Sequence, residues 1–261
     1  MMIKKIESKE NDKIKLLKKL QQRKARHELG LFKVENLKTI MDAHAAGSDF
    51  EMIFMTTDFI RDHSQEFAYL SAKNEGAEFF ELPSNVYKIF SELESPEGIC
   101  AVYRIREMQI DYNKPIIYLN GINDPGNLGT ILRSALAFDF RNVIVDEMCA
   151  DVHNHKTIQA AKNSIFVLNI IPDKKQEMLK KMKKQKIELA AAAMGARAIK
   201  LNDWHPRGEP CVIFGSESHG INPAVAALSD KTIKITMSKN IESLNVSVSA
   251  AIMMHHVYQQ K

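Results

Sequence analysis

The chain contains few cysteines, only Cys100, Cys149 and Cys211 in 261 residues. They lie far apart and form no Cys-x-x-Cys pair, so the sequence predicts neither a disulfide framework nor a zinc site. Long apolar runs are missing too, because no stretch approaches the ~20 apolar residues of a membrane span. The opening MMIKKIESKE is charged where a secretory signal would be apolar. We therefore expect a cytoplasmic protein in a reducing environment, with no membrane and no metal as partner.

The usual nucleotide-binding strings are absent as well. Neither G-x-G-x-x-G nor G-x-x-x-x-G-K-[ST] follows a predicted strand. An α/β enzyme that binds a nucleotide at the turn between Asn120 and Gly129 is an alternative, but the sequence lacks the motif that such enzymes usually carry. What is present is the composition of a globular protein, with 45% hydrophobic and 26% charged residues. The formal net charge is only +4. The distribution of charge therefore says more about partners than the total does.

Predicted strands and helices alternate over the first hundred residues, which is typical of a compact α/β unit. Within it, Asp12–His27 has the pattern of one basic amphipathic helix with Asp12 as its N-cap. A second long helix is predicted over FIRDHSQEFAYLSAKNEG, with Gly76 beyond its end. The basic helix is either a solvated face or a nucleic-acid surface, and its candidate contacts are Lys13, Lys18, Arg23, Lys24 and Arg26.

A polar stretch, REMQIDYNKP, separates the two halves of the chain. We place an N-terminal domain at residues 1–107, a linker at 108–114 and a second domain at 115–261. The second half again alternates strands with helical patterns, which predicts a parallel sheet covered by helices on both faces. Its lysine-rich segment Lys174–Lys186 is interpreted as a solvated surface helix with an apolar stripe.

The stretch Ile116–Ala135 reads as strand, tight loop and helix. Apolar residues recur there at helical spacing, at Leu128, Ile131, Leu132, Ala135 and Leu136. At about 100° per residue Arg133 falls on the opposite, open face. Glycines allow close approach of a ligand and a helix start favours an anion, so the loop is either a phosphate-handling loop or an ordinary turn.

Two further loops follow predicted strands of the same sheet, at the edge where parallel sheets bind ligands. In GSESHGI two glycines bracket Glu217, and in SKNIESLNVSVS the residues Asn245, Ser247 and Ser249 stand close to a helix start. Taken singly, each string is explained by a favourable acid at a helix N-terminus or by capping side chains.

Together and in this order, NGINDPGNLGTILRSALAFDF, VIFGSESHGI and ESLNVSVSAAI resemble the three motifs of the SpoU/TrmH family of RNA ribose 2′-O-methyltransferases, members of the knotted SPOUT class. The resemblance covers the chain from Pro115 to its end. NDKIKLLKKL, FKVEN and SPEGICAV are similar to the family's N-terminal substrate-binding domain. The implied fold is a C-terminal knotted SPOUT domain with a parallel sheet and helices on both faces, plus a smaller N-terminal α/β RNA-binding domain.

The resemblance implies methylation of a ribose 2′-hydroxyl in RNA with S-adenosylmethionine (SAM) as cofactor, by a homodimer. Because of the two-domain layout we expect ribosomal RNA as substrate; transfer RNA and a non-catalytic RNA-binding role are the alternatives. By motif, SAM would be bound in a trefoil knot by Ala193, Met194, Gly195, Gly215, Ile235, Met237 and Leu244. The residues expected to act are Arg133, Asn127, Glu217, Asn245 and Ser247, with Glu217 fixing either the Gly215 loop or Arg133.

The chemistry restricts what Arg133 can do. Methyl transfer to a ribose hydroxyl needs alignment and removal of a proton from a very weak acid. A guanidinium has a pKa above ~12 and does not deprotonate in proteins, so it is a poor general base. We expect Arg133 to hold the phosphate beside the target ribose and to stabilise developing alkoxide charge, while that phosphate accepts the proton.

This role predicts different results for two substitutions. Arg133→Lys keeps a positive charge and should retain part of the methyl-transfer activity, whereas Arg133→Ala should lose nearly all of it. The measurement is the rate of methyl incorporation into RNA, with RNA affinity determined in parallel. Complete loss in both variants, with unchanged RNA affinity, would contradict the phosphate-holding role.

Overall fold

The computed structural model describes residues 2–72, 74 and 76–260, which form two compact units that meet in sequence between Arg106 and Glu107. A short later segment, His153–Gln159, groups with the first unit although the sequence around it belongs to the second. Nothing in the pattern of strands and helices indicated this assignment.

The first unit contains a five-stranded mixed sheet in the order β1-β4-β3-β5-β2. Its strands are β1 (Ile3–Lys5), β2 (Leu31–Val34), β3 (Met52–Thr56), β4 (Glu78–Leu82) and β5 (Ile99–Arg104). Its helices are α1 (Asp12–Lys19), α2 (Arg23–Leu29), α3 (Leu37–Ala45), α4 (Thr57–Asp62), α5 (Ser64–Ala72) and α6 (Ser84–Tyr87). β1, β4 and β3 are parallel, and β5 is antiparallel to both of its neighbours. The unit is α/β, as the alternating pattern predicts.

The predicted basic helix Asp12–His27 is two helices, α1 and α2, and Asn11 caps the first in place of Asp12. Arg26 explains the break. Its guanidinium is buried and its Nη1 donates to the carbonyl oxygens of Leu20 and Gln21 at 2.7 and 2.9 Å. Carbonyl groups at a helix end lack intrahelical partners, and here an arginine from the next helix supplies them. The expectation that Arg26 is a surface cation is therefore wrong.

The second long helix predicted in this unit is also divided, into α4 and α5 around His63. Its predicted last turn includes Lys73 and Glu75, which lie outside the described residues. The pattern of SNVYKIFSEL predicts a ten-residue helix with Ser84 as its cap. The observed helix α6 is shorter and has Pro83 as its N-cap residue.

A buried ion pair fastens the loop after α6. The Lys33 ammonium donates to Glu35 Oε1 at 2.5 Å and to the Phe90 carbonyl at 2.7 Å. Glu35 in turn accepts hydrogen bonds from the Ser91 hydroxyl and the Tyr87 phenol. Burial lowers the pKa of Lys33, but nearby negative groups, including Glu35, outweigh it and raise that pKa above its usual value. The buried charge of Lys33 is thus paired, and the hydrogen bonds to Phe90 and Ser91 hold the loop after α6 in place.

The second unit contains a seven-stranded sheet in the order β10-β12-β9-β11-β6-β7-β8, and every pairing is parallel. Its strands are β6 (Ile116–Asn120), β7 (Asn142–Asp146), β8 (Asn169–Asp173), β9 (Leu189–Ala192), β10 (Ile199–Lys200), β11 (Cys211–Gly215) and β12 (Lys231–Lys234). The helices of this half of the chain are α7 (Pro125–Ala137), α8 (His155–Ala161), α9 (Ser164–Val167), α10 (Glu177–Lys184), α11 (Pro223–Ala226) and α12 (Val246–Tyr258).

Apolar clusters lie on both faces of this sheet. On one face Leu128 and Leu132 of α7 pack with Met253 of α12, and on the other Leu179 and Met182 of α10 pack against the strands. The predicted parallel sheet with helices on both faces is confirmed. Because β11 pairs with β6, the loops after these two strands start side by side at one edge of the sheet.

Three local features differ from the sequence pattern. IFVLNII, predicted as one strand, contains the short helix α9 before β8 begins at Asn169. The two-residue strand β10 and the 3-10 turn Leu201–Asp203 after it were not predicted, since such short elements have no hydrophobic period. Among the described residues, no helix has both the length and the apolar character to cross a membrane.

The position of Arg26 generates a stability prediction. Arg26→Ala should lower the free energy of unfolding by about 1–3 kcal/mol, because it leaves two carbonyl groups at the end of α1 without their partner. Urea unfolding of the full chain measures the change. Lys24→Ala, two residues earlier and exposed, is the matched control and should leave stability nearly unchanged. Equal effects in the two variants would contradict the capping role.

Candidate active site

A cavity of about 210 Å³ lies in the second unit, at the carboxyl ends of strands β9, β11 and β12 and beside the start of α12. Six of the seven residues that the motifs suggested for cofactor binding line it: Ala193, Met194, Gly215, Ile235, Met237 and Leu244. The seventh, Gly195, is exposed and does not line the cavity. Segments from four separate parts of the second half of the chain therefore meet at one concave surface.

Gly215 begins the loop that forms one wall of the cavity. A Cβ atom at this position would collide with the Gly220 carbonyl group and the Ile221 nitrogen. The loop closes tightly because Ser216 and Gly220 exchange two backbone hydrogen bonds, at 3.1 and 2.9 Å. Gly220 has φ +65°, a conformation that favours glycine. The two glycines thus let the loop fold back and present Glu217 at its tip.

Glu217 joins the three motifs. Its Oε1 accepts hydrogen bonds from the side-chain amides of Asn127 at 3.1 Å and Asn245 at 2.6 Å, and from the Val246 backbone at 3.2 Å. These are charge-assisted bonds, and the last one satisfies an N–H group in the first turn of α12 that has no partner within the helix. Glu217 also lines the cavity. The carboxylate therefore acts as a positioning group for residues from motifs far apart in sequence.

Asn245 uses its whole amide inside the protein. Its Nδ2 donates to Glu217 and to Asn127 Oδ1, at 3.0 Å for the second bond. Its Oδ1 accepts from the backbone and the hydroxyl of Ser247, at 2.9 and 2.5 Å, and so caps helix α12. An asparagine side chain has two donor hydrogens, and both are engaged. The polar atoms of the Asn245 side chain and of the buried Ser247 are therefore committed to contacts within the protein.

Arg133 and Asn127 retain donor capacity. Arg133 is exposed on α7, and its guanidinium makes no hydrogen bond or ion pair with residues 2–72, 74 and 76–260. The Asn127 amide commits one hydrogen to Glu217, which leaves the second available. Of the two roles expected for Glu217, the pairing with Arg133 is not observed, since Glu217 bonds Asn127 and Asn245 instead. The open donors are thus an arginine and one amide hydrogen.

Asn120, the last residue of β6, was not among the residues predicted from sequence. Its Nδ2 donates to Asp146 Oδ2 at 2.5 Å, and its Oδ1 accepts from the Asn222 backbone at 2.7 Å. Asp146 also accepts from the Gly121 backbone at 3.0 Å. The side chain thereby ties the loop after β6 to the segment that follows the Glu217 loop. A polar residue at the carboxyl end of a buried parallel strand was the available signal.

The three cysteines are buried and do not line the cavity. Burial raises the pKa of the Cys149 thiol to about 12, and the thiols of Cys100 and Cys211 are buried and have raised pKa values too. A thiol is nucleophilic as its thiolate, so these cysteines are packing residues. No group of three or more His, Cys, Asp or Glu side chains in the described part of the chain is arranged to hold a metal ion.

The parallel sheet, the cavity at the ends of its strands and the three motifs that converge on Glu217 define a methyltransferase of the SPOUT class. Comparison with known families agrees. Residues 114–255 match the SpoU rRNA Methylase family, and residues 11–101 match the MRM3-like substrate binding domain. The chain belongs to the SpoU rRNA methylase family, a family of SAM-dependent RNA methyltransferases.

Relatives resemble the chain over nearly its full length. The 23S rRNA (guanosine(2553)-2′-O)-methyltransferase RlmP of Bacillus subtilis is 26% identical over 98% of this chain and 99% of its own. The structure of an RNA methyltransferase of the TrmH family from Porphyromonas gingivalis is 27% identical, with a TM-score of 0.85 over 96% of this chain and 98% of that one. An AdoMet-bound rRNA methyltransferase from Sinorhizobium meliloti, 20% identical, shares the fold with a TM-score of 0.84 over 98% of each chain.

Two glycines suggested for cofactor binding should respond differently to alanine. Gly215→Ala should destabilise the second unit by about 1–3 kcal/mol and abolish cofactor binding, because its methyl group would push the Gly220 backbone away. Gly195→Ala meets no atom within 4 Å and is the matched control. Thermal unfolding and SAM titration measure both variants. Similar losses in both would contradict the close approach at Gly215.

Proposed function

We propose that the protein transfers the methyl group of SAM to a ribose 2′-hydroxyl in ribosomal RNA. The observation that carries this proposal is the hydrogen-bonded set Glu217, Asn127 and Asn245, which brings all three motifs to the edge of one cavity. A protein that only binds RNA has no need for such a set. Glu217 joins the cavity to the Asn127 amide, since it lines the cavity and accepts a hydrogen bond from Asn127.

The cavity suits SAM in its chemistry. Apolar side chains, among them Ile235, Met237 and Leu244, supply surface for a flat nucleoside. Polar groups in the same lining, Ser216, Glu217 and Ser249, offer acceptors for its amino and hydroxyl groups, and the carboxylate complements positive charge. When bound, SAM supplies an electrophilic methyl group.

The chain's own residues align and hold the RNA. Arg133 binds the phosphate beside the target ribose, because a guanidinium matches phosphate geometry and this one is exposed on the α7 surface. Asn127 directs its remaining N–H toward the ribose. Glu217 keeps Asn127 in place through a bond of 3.1 Å. Asn245 holds Glu217, and Ser247 holds Asn245 at the start of α12, so both are positioning residues. Alignment of this kind accounts for a large part of many enzymatic rate enhancements.

Ribosomal RNA is the favoured substrate because the descriptions of the matched family and of the Bacillus subtilis relative both name rRNA. This substrate agrees with the expected cytoplasmic location. The first unit would bind RNA through Lys18, Arg23 and Lys24 on α1 and α2, which lie at the surface. Lys13 is partly engaged, since its ammonium pairs with Glu78 at 2.5 Å. Transfer RNA is the second candidate substrate, since other relatives are described as tRNA/rRNA methyltransferases.

We also propose the homodimer and the trefoil knot that the family resemblance implies. Support for the homodimer comes from α12, where Val248, Ile252 and Tyr258 expose 47%, 37% and 48% of their surface. Exposed apolar side chains on one helix are typical of a surface that a partner covers. Support for the knot comes from the cavity lining, because Ile235, Met237, Ser243 and Leu244 line the same cavity as residues that follow β9 and β11.

One titration and one transfer assay test the proposal. SAM should bind the purified protein in a calorimetric titration, and the protein should transfer labelled methyl groups to ribosomal RNA, with the product resistant to alkaline hydrolysis at one nucleotide. Glu217→Ala should reduce the transfer rate by at least about 10²-fold, because Asn127 and Asn245 lose their common partner. Glu217→Gln keeps an acceptor oxygen and should lose less.

Three results would contradict it. Absence of SAM binding would exclude the methyltransferase reaction and leave an RNA-binding protein. Preferential methylation of transfer RNA would show that transfer RNA, and not ribosomal RNA, is the substrate. Equal activity of Glu217→Ala and the unchanged protein would show that the three motifs need no common carboxylate.

A further inference from the structure

One helix of the second unit carries a dense cluster of positive charge. The segment of residues 174–186, which contains α10, carries seven lysines and a single acidic residue, Glu177. The chain as a whole has a formal net charge of only +4, so the residues outside this segment together carry net negative charge. An ordinary solvated face, the interpretation from sequence alone, accounts for the polarity of the segment but not for its single sign of charge.

The helix shows its lysines to solvent and hides its apolar side. Leu179 and Met182 are fully buried in the core cluster beneath the helix, and all seven lysines are exposed. At about 100° per residue, Lys180, Lys181 and Lys184 fall on the side of α10 opposite Leu179. The orientation of the helix is therefore settled by packing, and its outer side is a row of ammonium groups.

Most of these ammonium groups are not paired. Lys183 contacts Asp230 at 3.6 Å and donates to the Leu228 carbonyl, and Lys180 donates to the Lys175 carbonyl. The remaining five make no hydrogen bond or ion pair through their ammonium groups with any residue that the structure describes: Lys174, Lys175, Lys181, Lys184 and Lys186. We call these five residues the lysine surface.

Ordinary solvated helices of the same chain look different. In the first unit, Lys24 pairs with Glu28 and Lys38 with Asp42, each four residues apart. On α10, Lys180 and Lys184 are spaced in the same way and have the same sign, an arrangement that destabilises a helix by a few tenths of a kcal/mol per pair. The five ammonium groups of the lysine surface thus have no partner among the described residues and contribute nothing to the packing of the fold. A bound polyanion would remove the repulsion.

We propose that the lysine surface binds the phosphate backbone of RNA, outside the cavity and separately from Arg133. This inference rests on the proposed function, because it extends the contact between enzyme and RNA substrate beyond the target nucleotide. Ammonium groups on flexible stems neutralise phosphates without reading bases, so the contact is independent of sequence. Its contribution is to affinity and to the rate of encounter.

The structure favours RNA over the other polyanionic surface, an acidic membrane. A helix that lies on a membrane inserts apolar side chains between the lipids. The apolar residues of α10 are turned to the protein core, with Leu179 and Met182 inaccessible. An all-ammonium outer side with no exposed apolar edge fits a rigid phosphate backbone.

The test compares two charge-matched double variants of the full chain. Lys181→Gln with Lys184→Gln removes two groups of the lysine surface, and Lys162→Gln with Lys200→Gln removes two exposed lysines elsewhere in the second unit. The probes are a 23S ribosomal RNA transcript and an unrelated RNA of equal length, each titrated over a series of salt concentrations. SAM titration and methyl transfer at saturating RNA are measured on the same preparations.

In the α10 variant, the plot of log affinity against log salt should become shallower, its slope changing by roughly 0.7–0.9 for each phosphate that the protein no longer neutralises. The change should be the same for both RNAs. KM for RNA should rise while kcat and SAM affinity stay unchanged. The control variant should keep the original slope. An unchanged slope in the α10 variant, or equal changes in both variants, would overturn the inference.

The proposed function can fail separately. If the unchanged protein binds RNA but transfers no methyl group, the methyltransferase reaction is excluded while the slopes still decide whether the lysine surface binds RNA. If the unchanged protein binds vesicles of acidic phospholipid and the α10 variant alone loses that binding, the partner is a membrane and the RNA assignment is overturned.

Discussion

A single carboxylate oxygen, Glu217 Oε1, accepts hydrogen bonds from two asparagine side chains and one backbone N–H group. Its partner Asn127 lies 90 residues before it and Asn245 lies 28 residues after it. Without this oxygen, the direct bond between Asn245 and Asn127 would remain, but the Glu217 loop would lose its contacts with both side chains. The charge matters because one oxygen must serve three donors, and an ionised acceptor forms stronger hydrogen bonds than a neutral one.

The sheet makes this convergence possible. All seven strands of the second unit are parallel, so every loop that carries a motif leaves from the same edge. β11 lies between β6 and β9, which sets the Glu217 loop between the first-motif helix and the cavity. Asn120 then fastens two of the loops to each other and to Asp146. The strand order supplies proximity, and the polar side chains supply the final geometry.

Strong periodic signals predicted much of this from sequence. The buried stripe of α7 and the exposed position of Arg133 follow from helical spacing, and the parallel sheet follows from alternation. What spacing cannot show is a contact between distant residues. Arg26 has the composition of a surface cation, yet it lies inside because two carbonyl groups at a helix end require donors. In the same way, the pairing of Glu217 with Asn127 depends on strand order, which local periodicity does not encode.

The amide of Asn245 has a consequence for which substitutions the chain tolerates. Aspartate has nearly the same shape as asparagine and is an equally good helix N-cap, so nothing in α12 distinguishes the two residues. The contact with Glu217 does distinguish them. Asn245→Asp would replace the amide and both of its donor hydrogens by a second carboxylate that faces Glu217. The requirement for an amide at position 245 therefore comes from the site alone. A change of this one side-chain amide to a carboxylate would remove the hydrogen bonds to Glu217 and Asn127 while leaving an acceptor oxygen for the helix cap.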